Sequence, residues 1–270
     1  MRVLRQGPLS LTVELAELTV TMLSDGETSV PKDWLRGPDG APLPAGELGH
    51  ADLAGDKLRL PVRAFAVQGP AGCLMIDTGA GEGWQAGLGQ LGAALREAGI
   101  WPGSVTSVAV THTHVDHVSG LVDRDGGLAF PEAGRVFVPV EELGMVRSMP
   151  RLHPVMPRLM PLEQGDGPLR GVASINAPGH SPGHMAYLVE GRLLIWGDLV
   201  HHGAVQFARP DVGWAHDHDL AQARASRRAL MEQAVEGGWL VAGAHLPDPG
   251  IGWIARAGAA YSFRPLTYGV

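Results

Sequence analysis

The feature that most restricts the fold of this 270-residue chain is a cluster of ligand-type side chains directly behind a short apolar run: Thr111-His-Thr-His-Val-Asp-His117 follows residues 105–110. In extended backbone, positions i and i+2 point the same way, so His112 and His114 can grip one ion together. Asp116 and His117 come one turn later and face a second ion across a gap of about 3.5–4 Å. Imidazole and carboxylate donors suit zinc and its first-row neighbours. Three more candidates stand where predicted strands give out into loops: His180 in Gly179-His-Ser-Pro-Gly-His184, Asp198 behind Gly197, and His245 behind Gly243-Ala244. Loops on a rigid scaffold are where binding and catalytic groups concentrate. A lone loop histidine is a solvated side chain. Four donor residues in positions 112–117, with three more at strand ends, define a metal site.

The pattern around these residues predicts layered sheets and helices. Residues 11–22 alternate apolar and polar side chains with the period of a half-buried strand, and Ser24-Asp25-Gly26 reads as the following turn. Further strands are predicted over 62–67, 73–76, 105–110, 135–140, 172–177, 185–190, 192–196 and 239–241. Trp84, Leu88, Leu91, Leu95 and Ala98 fall at helical spacing before Gly99. Residues 219–235 give the best helix, with Asp219 at its N-cap. Residues 30–58 are rich in Gly and Pro and lack a period, so an irregular arm is expected there, on a single domain spanning residues 1–270.

A net charge of −7 argues against nucleic acid or an anionic membrane as partner. The single cysteine, Cys73, excludes an internal disulfide and a Cys-rich metal site. No stretch has the length of a membrane-spanning helix, and Glu14 and Glu17 interrupt the apolar run near the N-terminus. A cytoplasmic enzyme or binding protein acting on a small molecule is therefore expected.

Taken together, His112-Thr-His-Val-Asp-His117, Asp77-Thr-Gly79, Gly179-His180, Gly197-Asp198 and His245 resemble the metallo-β-lactamase superfamily over essentially the whole chain. That resemblance implies an α+β fold, a four-layer αββα sandwich, and two divalent metal ions, with zinc expected and Mn, Co or Fe as alternatives. It assigns His112, His114 and His180 to one ion and Asp116, His117 and His245 to the other, with Asp198 bridging and Asp77 orienting a ligand histidine. Gly197-Asp-Leu-Val-His-His-Gly-Ala-Val-Gln-Phe207, Gly243-Ala-His-Leu246, Pro249-Gly-Ile-Gly252 and Tyr261-Ser-Phe-Arg-Pro265 are similar to the methyl parathion hydrolase branch, which also contains lactone and aryl-ester hydrolases.

The implied reaction is the opening of lactones or cleavage of aryl esters by a metal-bound hydroxide, with phosphotriesters as promiscuous substrates. A dedicated organophosphate hydrolase is the alternative, and an iron-dependent oxidoreductase of the same superfamily a more distant one. Relatives are often dimers, so a homodimer is expected, with the 30–58 arm able to wrap a neighbour. Asp116, Asp198 and His201 are the candidate catalytic residues, His201 as the group that binds or protonates the leaving oxygen. Trp84, His201, His202, Met145 and Phe207 are candidate substrate contacts. Met145, Met149, Met156 and Met160 stand where relatives carry aromatic pocket walls. His184 is expected to support the His180 loop, Arg224, Arg227 and Arg228 to form a solvated helix face, and His50 and His153 carry no specific signal.

Overall fold

Strands Lys57–Gly69 and Gly72–Ile76 are apolar on both faces: Phe65, Val67, Leu74 and Ile76 point one way, Ala64, Ala66, Cys73 and Met75 the other. A strand of this kind must be covered twice. The computed structural model, which describes residues 1–48, 53–54 and 57–267, shows how. Among the described residues these strands belong to a nine-stranded sheet running from Arg2–Gln6 at one edge to Leu159–Leu162 at the other, and a second sheet of six strands lies against it. Between the sheets, Phe65, Val67, Leu74 and Ile76 meet Tyr187, Val189, Leu193, Ile195 and Leu240. Helix Leu91–Ala98 covers the outer face of the first sheet through Leu91, Ala94 and Leu95. Helix Leu220–Gly237 covers the outer face of the second through Leu230, Met231 and Ala234. Helix, sheet, sheet and helix form the four layers of an αββα sandwich, an α+β arrangement.

Each sheet contains parallel strands, towards one edge of the first and at the centre of the second. Gly72–Ile76 pairs in parallel with Ser107–Ala109, and Leu193–Ile195 with Leu240–Ala242. Their carboxyl ends release Asp77, the His112 motif, Asp198 and His245 at one rim of the sandwich. The two sheets are tied there: Tyr187 donates its hydroxyl to the Val110 carbonyl at 2.6 Å, and Met185 N–H to the Thr111 carbonyl at 2.8 Å.

Several local expectations are revised. Residues 11–22 are not one strand but the two arms of a hairpin, Ser10–Leu15 and Leu18–Pro31, turning at Ala16 with φ 47°. Ser24-Asp25-Gly26 is no turn; the strand runs through it with a bulge against Lys57–Gly69. The bulge leaves the Asp25 carboxylate free to accept Ala80, Gly89 and Leu91 N–H at 2.9, 3.3 and 2.9 Å. Asp25 thereby caps helix Leu91–Ala98 from another strand, so the helix starts at Leu91 and not at Trp84. A Cβ at Gly79 (φ 72°) would come 2.6 Å from the Asp25 carboxyl carbon, so this close approach requires glycine.

The expected arm is partly ordered by its own apolar residues. Leu35–Arg36 pairs with Gly213–Trp214, and Val30, Leu35, Leu43, Leu48, Val205, Val212 and Trp214 form a small separate core. Residues 49–52 and 55–56 of the arm, His50 included, lie outside the described residues. The C-terminal hairpin Ile251–Ala257 and Ala260–Pro265, not expected from pattern, closes the second sheet. Among the described residues no helix is long and apolar enough to cross a membrane.

Candidate metal centre

Four of the five candidate ligand histidines are held by their outer ring nitrogen, while His114 turns its Nδ1 inward towards His112 Nε2 and His180 Nε2. His117 Nδ1 lies 2.8 Å from Asp77 Oδ2, His180 Nδ1 2.9 Å from Asp217 Oδ1, His245 Nδ1 2.6 Å from the Pro61 carbonyl, and His112 Nδ1 3.0 Å from Thr111 Oγ1. An acceptor at the outer nitrogen fixes the tautomer and turns the other nitrogen inward as a lone-pair donor. Thr111 in turn gives its hydroxyl to Asp77 Oδ2 at 2.9 Å and its N–H to Asp77 Oδ1 at 2.7 Å.

The inward atoms collect in two groups. Those of His112, His114, His180 and Asp198 lie within 4.8 Å of one another, and so do those of Asp116, His117 and His245. Asp198 stands between the groups: Oδ1 is 3.1 Å from His117 Nε2 and 3.2 Å from His245 Nε2, while Oδ2 is 3.2 Å from His180 Nε2 and 3.7 Å from His112 Nε2. Its backbone N–H donates to His184 Nε2 at 3.0 Å, and His184 Nδ1 is fixed by the Ala177 carbonyl, so His184 holds the Asp198 loop as well as the segment before His180. At Gly179 (φ 125°) a Cβ would sit 2.1 Å from Ala223 N, so only glycine lets helix Leu220–Gly237 start against the His180 loop.

The charges of this arrangement shift one another strongly. Burial raises the cost of a charged Asp198, but the positive fields of His117, His245 and His201 hold its carboxyl well below the usual range. Burial likewise opposes charge on His180, yet its bonds to Asp198 and Asp217 lift it to about 9. His117 is pushed well above the ordinary histidine value and His245 above it, in both cases against burial and chiefly by Asp198. Burial and nearby positive imidazoles press His112 far down and His114 to about 4. Although only 3.1 Å apart, buried His117 Nε2 and Asp198 Oδ1 are not aligned for a hydrogen bond. Nitrogen and carboxylate donors facing one another with two oxygens shared between the groups fit two divalent cations, which would take over the charge balance that ring protons otherwise supply.

Above these donors opens a cleft of about 280 Å³. Trp34, Trp84, Trp214, His216, Val30 and Leu60 wall it, and His114, Asp116, His180, Asp198, His201 and His245 form its polar part. Among the described residues, no Lys or Arg lines it. Trp84 reaches the cleft from the glycine-rich loop that Asp25 ties down. His201 lies flat on Trp214, centroids 4.5 Å apart and planes 9° apart, with Nε2 3.2 Å from Asp198 Oδ2. Its backbone N–H is held by Gln206 Oε1 at 2.7 Å.

Three expected substrate contacts are not brought to this cleft. His202 follows His201 in extended backbone, so it points the opposite way and lines a separate cavity of about 250 Å³ with Arg63 and Pro247. Phe207 is buried against Trp196 and stacks on Phe263 of the unanticipated C-terminal hairpin at 5.2 Å. Met145 is 55% exposed on the outside, because its helix Leu143–Ser148 is seated by Val146 on the outer face of the first sheet. Met149 and Met156 pack into that same outer layer, and Met160 is exposed.

The structure adds residues that sequence reasoning missed. Trp34 comes from the arm, and its ring meets His216 edge-on at 4.4 Å. In His216-Asp-His-Asp219, Asp219 caps the helix as expected, accepting Ala221 and Gln222 N–H, while His216 walls the cleft and Asp217 orients His180. The acidic and imidazole density of that run was the available signal. Glu142 is buried and accepts Thr113 Oγ1 and Gly183 N–H, clamping the histidine motif to the His180 loop. Arg227 is not part of a solvated face but is 1% exposed, while Arg224 donates to the carbonyls of Gly37 and Pro38 in the arm.

A family model of the metallo-beta-lactamase superfamily matches residues 58–245. No curated protein matches the chain. Among solved structures it is similar to AidC, a dizinc quorum-quenching lactonase in complex with a homoserine product, with a TM-score of 0.86, 22% identity, and 97% of this chain and 99% of that one covered. It is also similar to AbOPH, a hydrolase in the beta lactamase superfamily, with a TM-score of 0.85, 25% identity and 98% and 100% covered. A probable metal-dependent hydrolase from Staphylococcus aureus follows at 0.75, 19% identity and 94% and 100% covered. With the family model covering more than half of its length and the αββα layers and donor groups in place, the chain belongs to the metallo-beta-lactamase superfamily.

Proposed function

We propose that the protein is a two-metal hydrolase that opens lactones or cleaves aryl esters, with phosphotriester cleavage as a side activity. The observation that carries this reading is the Asp198 carboxylate set between two donor groups at the floor of an aromatic cleft with no Lys or Arg among its described lining residues. In it, His112, His114 and His180 would hold one ion and Asp116, His117 and His245 the other, with Asp198 within reach of both groups. Bound divalent ions, zinc in the first place, supply Lewis acidity: they bring the pKa of water towards neutrality and polarise an ester carbonyl. The chain does the rest. Asp116, half-buried at the cleft edge, takes or holds the proton of the attacking water. His201, kept in place by Trp214 and Gln206, serves the leaving oxygen. Trp34, Trp84 and Trp214 bind the apolar part of a neutral substrate, and the lack of Lys and Arg among the described lining residues disfavours anionic ones.

The likeness to a dizinc lactonase and to a hydrolase of the same superfamily supports the reaction class. The branch similar to methyl parathion hydrolase and a homodimeric assembly belong to the same reading, and a monomeric mass at micromolar concentration would overturn the latter. The decisive experiment is side-by-side turnover of dihydrocoumarin, an acyl-homoserine lactone and paraoxon by the zinc-loaded protein. A lactone is expected to lead by orders of magnitude in kcat/KM. A lead by paraoxon would make it an organophosphate hydrolase, and one iron per chain with oxygen-dependent turnover would make it an oxidoreductase.

A further inference from the structure

Behind His180, on the side away from the cleft, helix Leu220–Gly237 carries a buried cation that no step of the hydrolysis uses. Arg227 is 1% exposed, and its guanidinium is shared among four places. Nε donates to the Leu199 carbonyl at 2.6 Å, one residue past Asp198. Nη1 donates to the carbonyls of Val212 at 2.8 Å and Pro210 at 3.2 Å. Nη2 stands 4.0 Å from Asp217 Oδ2. Asp217 is itself fully committed: Oδ1 meets His180 Nδ1 at 2.9 Å and Oδ2 accepts Trp214 N–H at 2.8 Å. A charged guanidinium taken out of water is costly unless it is paired and hydrogen-bonded, so its presence here calls for a local role.

We propose that Arg227 is a positioning residue for the first metal position: it fixes Asp217 as the anionic partner of His180 and sets the loop that carries Asp198, and so tunes the affinity of the His112, His114 and His180 group for its ion. The planar fork is what the site requires. Donors on three nitrogens reach the loop after Asp198, the loop before Trp214 and the carboxylate at once, whereas a lysine ammonium offers its donors from a single atom. The inference rests on the two-metal reading but not on any substrate.

The test is a zinc titration of the metal-free protein against a chromogenic chelator, with Arg227→Met, Arg227→Lys, Asp217→Asn and the double variant Arg227→Met/Asp217→Asn. Arg227→Met is expected to weaken one of the two zinc steps by about 10–100-fold and leave the other within about twofold, the range found when the partners of metal-ligating histidines are removed. Arg227→Lys should fall between Arg227→Met and the parent, and it serves as the variant in hand if the methionine form does not fold. The double variant should bind that zinc no more weakly than Asp217→Asn alone, because the two side chains act as one unit. The cobalt-loaded forms of Arg227→Met and Asp217→Asn should share one altered visible spectrum. Additive losses, equal weakening of both steps, or unchanged affinity with only a lowered melting temperature would overturn the proposal. A parent chain that takes up fewer than two ions would overturn the two-metal reading, and this inference with it.

Discussion

Asp77 and His117 face each other at 2.8 Å, carboxylate Oδ2 to imidazole Nδ1, and the same carboxylate takes the N–H and hydroxyl of Thr111. One buried side chain at the end of a neighbouring strand thus anchors the histidine motif at both of its ends. Asp77→Asn keeps the shape but removes the charge that favours a donating Nδ1–H. It should lower zinc affinity by about 10–100-fold, read by chelator competition. Unchanged affinity would show that the backbone alone holds the motif.

On the proposed reading His201, which lines the cleft 3.2 Å from Asp198 Oδ2, distinguishes substrates by their leaving group. A lactone releases a poor alkoxide that needs a proton, whereas an aryl phosphotriester releases a stable phenoxide. His201→Leu should therefore cut lactone kcat by about 10²–10⁴-fold and leave paraoxon turnover far less affected. Equal losses on both substrates, or none, would remove His201 from the chemistry.

The tryptophans should act on binding. Trp34→Ala and Trp84→Ala each remove an aromatic wall of the cleft; on the proposed reading that wall contacts substrate in ground and transition state alike, so KM for an apolar lactone should rise about tenfold at nearly constant kcat. Met145→Ala, outside the cleft, should change neither constant. A kcat effect from Trp34 or a KM effect from Met145 would reverse this assignment.

Metal loading should depend on pH with a definite sign. His180, lifted to about 9, carries a proton at pH 7, and His117 and His245 are shifted in the same direction by Asp198. Ligation needs their lone pairs, so zinc uptake at pH 7 releases protons, and affinity tightens as pH rises towards 9. Calorimetry in buffers of different ionisation enthalpy measures the release. For the metal-free fold the raised His180 pKa works in the other direction: its contribution to stability is complete below 6.5 and is lost as pH rises through 9.

Asp25 should matter to stability first. Asp25→Ala strips the acceptor from three backbone N–H groups, those of Ala80, Gly89 and Leu91, and should cost about 3 kcal/mol in urea unfolding. A loss below about 1 kcal/mol would mean that water replaces the carboxylate without strain.

How much of this was legible in the amino-acid order follows from how far each relationship reaches. The strands around 62–67, 73–76 and 185–190, the helix capped by Asp219 and the density of donors at 112–117 are local patterns: a period of two, an N-cap and a run of ligand-type residues need no knowledge of the rest of the chain. They sufficed for the layered fold and for choosing the seven candidate ligands. The limits were equally physical. Asp25 caps a helix more than 60 residues later, so pattern alone started that helix at Trp84. The resemblance singled out His201 over His202 for the chemistry but kept both as substrate contacts, and the direction of the strand-like backbone between them shows that it is His201 that meets Asp198. Arg227 has the spacing of a solvated face, yet the loops at 199 and 210–212 fold over it and make it a buried anchor. Trp34 reaches the cleft because Leu35–Arg36 pairs with Gly213–Trp214. The sequence by itself determined which chemistry the chain can hold, because donor type and strand period are properties of neighbouring residues. The tertiary structure decided which of the expected side chains wall the cleft and added Trp34, His216, Asp217, Glu142 and Arg227 to the walls and supports, because those contacts join segments that only folding brings together.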